Sequence, residues 1–80
     1  MGKILSGTAD AHVAFADLRA LLAELGFQER TRGSHHIFSR NDVEEIINLQ
    51  PKGNMAKPYQ VKQVRGLLIR YKLGVFHDQI

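Results

Sequence analysis

FQERTRGSHHIFSRNDVEEIINL, residues 27–49, is the stretch on which the fold turns. Phe27–Thr31 reads as a strand, Arg32-Gly33-Ser34 as a Gly-containing turn, and His35–Arg40 as a second strand. Asn41-Asp42 makes another turn, and Val43–Leu49, rich in Ile and Val, is a third strand. Three strands in a meander need cover on one face and leave the other open to solvent or a partner.

The cover comes from the flanks. On the N-terminal side Leu18, Leu21, Leu22 and Leu25 recur at helical spacing within Phe15–Leu25, with Arg19 and Glu24 between them. Gly26 suits the left-handed position just past the helix end. Ala14 is a poor cap, so the helix starts there, with Val13 and Leu18 as a hydrophobic staple, or as early as Asp10. On the C-terminal side Pro51–Lys57 holds Gly53 and Asn54 and reads as a loop. Pro58 opens a second helix, whose apolar stripe is Val61, Val64, Leu68 and Tyr71. Gly74 is expected to end it. Met1–Asp10 reads as a lead-in with one helical turn around Lys3–Leu5, and residues 75–80 as a short tail.

The order is therefore α-β-β-β-α: an α+β, two-layer domain with a three-stranded antiparallel sheet and two helices on one face. It resembles the fold of double-stranded-RNA-binding domains. Residues 1–80 make a single domain with its core at about 11–74. Eighty residues exclude a two-domain architecture.

Composition narrows the chemistry. There is no Cys, so disulfides, thiolate metal sites and Cys nucleophiles are excluded. No apolar run approaches a membrane span, and the N-terminus lacks a signal-peptide stretch. The expectation is a soluble protein of a reducing compartment, the cytoplasm. The net charge is +3, but residues 28–72 alone carry nine basic and four acidic side chains, hence +5. A basic surface favours phosphate-rich partners or an acidic protein. On charge alone, a solvated basic face is the commoner case.

The unusual cluster is Arg32-Gly33-Ser34-His35-His36. Adjacent strand residues point to opposite faces. If Phe38 is a core residue, His36 shares its face and His35 points to the open face, beside Arg30 and Arg32 across the hairpin. A His there exchanges a proton near neutral pH. RNA carries its own nucleophile, the 2′-OH, so one base and nearby cations suffice for transesterification without metal. The plainer reading is two ordinary strand residues beside a turn. A metal site lacks support: the paired His diverge, no Glu-x-x-His accompanies them, and His12 and His77 lie near the chain ends. Ser34 beside His35 in sequence is not triad geometry.

A second cluster runs Asn48-Leu49-Gln50-Pro51-Lys52-Gly53, then Lys57-Pro58-Tyr59-Gln60-Val61-Lys62-Gln63-Val64-Arg65. It gathers cations round a helix N-terminus, where backbone N–H groups and the dipole favour an anion. Lys57 and Lys62 would reach phosphates, and Tyr59 would stack or hydrogen-bond. A helix start with a solvated basic side explains the same residues.

Taken together, Leu25-Gly26-Phe27, Arg32-Gly33-Ser34-His35-His36-Ile37-Phe38 and Asn48-Leu49-Gln50-Pro51 leading to Lys57-Pro58-Tyr59-Gln60-Val61 resemble the HicA family of bacterial toxins, over roughly residues 15–74. The resemblance implies a metal-independent, cofactor-free ribonuclease that cleaves mRNA. It places the catalytic His at His35, with His36 as second choice. Arg30, Arg32, Ser34, Lys57, Lys62 and Arg65 are the expected RNA-binding residues. A HicB-like antitoxin is the expected protein partner. The chain departs from the family in one place: many members carry a Pro-x-His-like motif after the third strand, where this chain has no His. A non-catalytic RNA-binding module of the same fold is the alternative.

Overall fold

A computed structural model describes residues 12–73. It has helix α1 (Phe15–Glu24), strands β1 (Gln28–Arg32), β2 (His35–Arg40) and β3 (Val43–Leu49), and helix α2 (Pro58–Arg70). The order is the α-β-β-β-α that the sequence predicts. The expected turn at Lys3–Leu5 and the tail lie outside the described residues.

The sheet runs β1-β2-β3, antiparallel throughout. Its first hairpin is tighter than the sequence suggests. Arg32 pairs directly with His35, leaving a two-residue turn of Gly33 and Ser34. Gly33 has φ 58°, the left-handed first position that such a turn needs. The extra paired residue moves β1 one step along from Phe27–Thr31. Between β2 and β3 the register shifts. Phe38 opposes Ile47 but Arg40 opposes Val43, so Ser39 faces a longer stretch of β3 holding Glu44, Glu45 and Ile46. A bulge of this kind bends an edge strand and re-aims its side chains, and Ile46 is left 65% exposed.

The core lies between the sheet and the helices. Leu18, Leu21 and Leu22 of α1 meet Phe38, Ile47 and Leu49 of the sheet and Val61, Val64 and Leu68 of α2. Val13 and Phe15 join this cluster at the start of α1. Full burial of one such side chain contributes about 1.5–3 kcal/mol, and both amphipathic stripes face inward as their spacing requires.

Both helices stop in the same way. Past α1, Gly26 takes φ 89°; Gly26 N–H reaches Ala23 O at 3.0 Å and Phe27 N–H reaches Leu22 O at 3.0 Å. Past α2, Lys72 takes φ 56°; its N–H reaches Ile69 O at 3.1 Å, and Leu73 N–H reaches Leu68 O at 2.8 Å. Each is a Schellman motif. The left-handed residue after α2 is thus Lys72, two positions before the Gly74 that the sequence points to.

Candidate active site at the hairpin end

Strand alternation sorts the two histidines to opposite faces. His36 pairs with Leu49 and shares the helix-covered face with Phe38. His35 pairs with Arg32, and Arg30 pairs with Ile37. Arg30, Arg32, His35, Ile37 and Asn48 therefore share the open face. The spacing argument from Phe38 holds, since Phe38 is buried.

His35 is exposed. Its Nδ1 lies 3.2 Å from Asn48 Oδ1. An amide oxygen only accepts, so this contact is a hydrogen bond when Nδ1 carries the proton, and in the neutral ring the lone pair is then on Nε2. Ser34, in the turn, accepts a hydrogen bond at 3.0 Å from Gln50 Nε2.

His36 is tied down on the other side. Its ring meets Phe15 edge-on, with centroids 4.9 Å apart. Its Nδ1 lies 2.6 Å from Glu29 Oε2. Glu29 also accepts from Arg19 Nε at 2.8 Å and Nη2 at 3.1 Å. The Arg19 hydrogen bond is the main reason that the Glu29 carboxyl sits below the usual glutamate range; partial burial opposes it and the His36 contact adds to it. Arg19 is raised in turn, first by the same hydrogen bond. Glu29, Arg19 and Phe15 are partners the sequence did not reveal, because they come from two other elements, β1 and α1.

Both helix N-termini point to this end. Phe15 N–H reaches Asn54 O at 3.0 Å and Ala56 N–H reaches Val13 O at 2.9 Å, which seats the 52–56 loop against the start of α1. The caps are Ala14 and Lys57, and neither makes a side-chain cap hydrogen bond. Their side chains hold no acceptor; it is the cap carbonyls that accept, Ala14 O from Asp17 N–H at 3.1 Å and Lys57 O from Gln60 N–H at 2.9 Å.

The structure brings Arg30, Arg32, Ser34 and His35 together on the hairpin. Lys57 stands at the start of α2. Lys62 lies elsewhere, in a groove with Ile46, Gln63, Gly66 and Arg70. Arg65 is on α2, in the helical layer. Buried Gln60 is the other residue that sequence reasoning missed, although a polar side chain one turn before Val64 in an apolar stripe is a signal. With its amide turned to satisfy both groups, Gln60 donates to the Gln50 carbonyl at 3.1 Å and accepts from Gln50 N–H at 3.2 Å.

Among the described residues no three His, Asp or Glu side chains gather as a metal site, and no helix is long and apolar enough to cross a membrane. A family model described as the HicA toxin of bacterial toxin–antitoxin matches residues 15–71, from the first residue of α1 to just past α2. No curated protein and no solved structure matches the chain.

Proposed function

This chain belongs to the HicA family, the toxins of bacterial toxin–antitoxin systems, and from that premise we propose that it is an endoribonuclease that cleaves mRNA with His35 as its proton-transfer group. The observation that supports this most is the placement of His35. It is exposed, it is held through Nδ1 by Asn48, and it stands directly across from Arg32.

The reaction follows from those groups. His35 Nε2 takes the proton from a ribose 2′-OH. The 2′ oxygen bonds to phosphorus, the P–O5′ bond breaks, and O5′ leaves and takes up a proton. The products are a 2′,3′-cyclic phosphate and a 5′-hydroxyl. Arg30 and Arg32 stabilise the added charge on the phosphoryl oxygens. Lys57, at the positive end of the α2 dipole, holds a neighbouring phosphate. The RNA supplies the nucleophile, so the scheme calls for no metal or cofactor. A positioned base contributes about 10²–10⁴-fold.

The same basic end suits an acidic protein partner, a HicB-like antitoxin that would cover Arg30, Arg32 and His35 and keep RNA away. A second reading has its own observation behind it. A carboxylate 2.6 Å from His36 Nδ1 makes a His–carboxylate pair with Nε2 left over, the arrangement of many general bases.

The test is cleavage of a defined RNA by the purified protein in EDTA, with analysis of the product ends. Cyclic phosphate and 5′-hydroxyl ends are expected. A requirement for added metal, or 5′-phosphate ends, overturns the mechanism. Tight, salt-sensitive RNA binding with no products favours the non-catalytic module.

A further inference from the structure

We propose that Asn48 is a positioning residue that selects the tautomer of His35, and that Gln50 and Gln60 brace the end of β3 that carries it. The inference rests on the reading of His35 above and goes beyond it, to a device in the segment where many family members carry a His.

The ladder between β2 and β3 ends at the pair His36 and Leu49. Continued by one step, His35 would stand opposite Gln50, and Asn48 is its diagonal neighbour. Strand ends fray unless something else holds them. Here Gln60 does so. The residue is 3% exposed, and with its amide turned as described above both amide atoms are spent on the Gln50 backbone, at 3.1 and 3.2 Å. That amide acts as one more rung, supplied by α2 and rooted in the core beside Val61 and Val64. It matters because an unpaired buried amide is costly, so the pairing ties residue 50 to α2.

Two side chains then reach from this braced segment to the turn. Gln50 Nε2 donates to Ser34 Oγ at 3.0 Å, which fixes the residue preceding His35. Asn48 Oδ1 takes up His35 Nδ1 at 3.2 Å. The orientation of that amide carries the function. With Oδ1 turned to the ring, as here, Asn48 accepts from Nδ1–H and favours that tautomer, the one that a free histidine disfavours, which leaves the neutral ring's lone pair on Nε2. A base must present that lone pair to the 2′-OH. An apolar residue at position 48 would leave the ring free to rotate and to carry its proton on Nε2, where it cannot accept.

The test combines two readouts on folded protein. Long-range ¹H–¹⁵N correlation spectra of ¹⁵N-labelled protein, at a pH where the imidazole is neutral, report which ring nitrogen carries the proton. The native protein is expected to show His35 as Nδ1–H. Asn48→Ala is expected to move His35 toward Nε2–H and to lower kcat about tenfold at unchanged KM. Asn48→Asp restores the Nδ1–H form. Gln50→Ala, which keeps the Gln60 rung, produces the same change in smaller measure. A native His35 already in the Nε2–H form, or spectra that Asn48→Ala leaves unaltered, overturns the proposal. The tautomer is read without RNA, so a protein that cleaves nothing still tests the positioning. Conversely, cleavage that depends on His35 but ignores Asn48 sinks the positioning alone.

Discussion

Both helices direct their N-termini to one end of the domain and their C-termini to the other, and the two ends are finished differently. At the C-terminal end the chain satisfies itself. Two Schellman motifs close the last carbonyls, Arg40 pairs with Asp42 at 2.8 Å, and Glu45 binds both Arg70 and Tyr71. At the N-terminal end the caps are Ala14 and Lys57, without side-chain acceptors, and Arg30 and Arg32 stand on the open face with His35. An N-cap that accepts is worth about 1 kcal/mol, so this end forgoes stability that a serine or aspartate would supply. What it keeps is the pair Arg30 and Arg32 on the face that carries His35. One end is closed with the chain's own charges, and the other gathers two arginines on its open face, where the function proposed above would seat an anion from outside.

The largest effect that could break this contrast concerns His36, which belongs to the hairpin end but to its covered face. Losing the Phe15 edge contact and the Glu29 bond in His36→Ala is expected to cost about 2 kcal/mol, read by urea denaturation, with cleavage by the folded fraction retained. Unchanged stability with lost cleavage would exchange the roles of the two histidines.

Next comes the open face. Arg30→Ala/Arg32→Ala is expected to weaken single-stranded RNA binding tenfold or more and to reduce the salt slope by about 1.4, from two phosphate contacts. Fluorescence anisotropy across a salt series measures both, and a melting temperature within a degree or two of the parent shows that the fold is intact. An unaltered slope means that the phosphates lie elsewhere.

At the closed end, Lys72 holds a left-handed conformation that costs a side-chain-bearing residue about 1 kcal/mol. Lys72→Gly is therefore expected to raise stability by up to about that amount and to leave cleavage alone. A drop in cleavage would mean that the closed end takes part in the site.

The smallest effect is the pH response of Glu29. Its folded-state pKa lies below the ordinary value. Its contribution is thus present above the unfolded pKa and is lost as pH falls through the folded one, on the acid side of the ordinary glutamate range. Glu29→Gln should flatten that acid limb while costing under about 1 kcal/mol at pH 7. A parallel acid limb in the variant would show that the Arg19–Glu29–His36 contacts do not couple to folding.

Much of this architecture is legible in the chain. Gly26 marks the end of α1, Pro58 the start of α2, and the β2 and β3 spans follow from the two turn signals around them. Alternation from Phe38 suffices to separate His35 from His36. The rest depends on contacts between elements. Phe27 looks like a strand residue, but the Schellman motif draws it into the core, and Arg32 joins the ladder because Gly33 permits a two-residue turn. The Glu29–Arg19 pair spans α1 and β1, and the Gln60–Gln50 rung spans α2 and the end of β3. Such pairs depend on how far each helix slides along the sheet, which no local pattern encodes.

The central claim is that of two adjacent histidines only the one on the open face moves the proton. Single-turnover cleavage of one RNA in EDTA by His35→Ala and His36→Ala, each at a concentration where circular dichroism shows it folded, tests this most directly. The account predicts a loss of at least about 100-fold for His35→Ala and a rate within a few-fold of the parent for His36→Ala. A folded His35→Ala protein that cleaves as fast as the parent contradicts it.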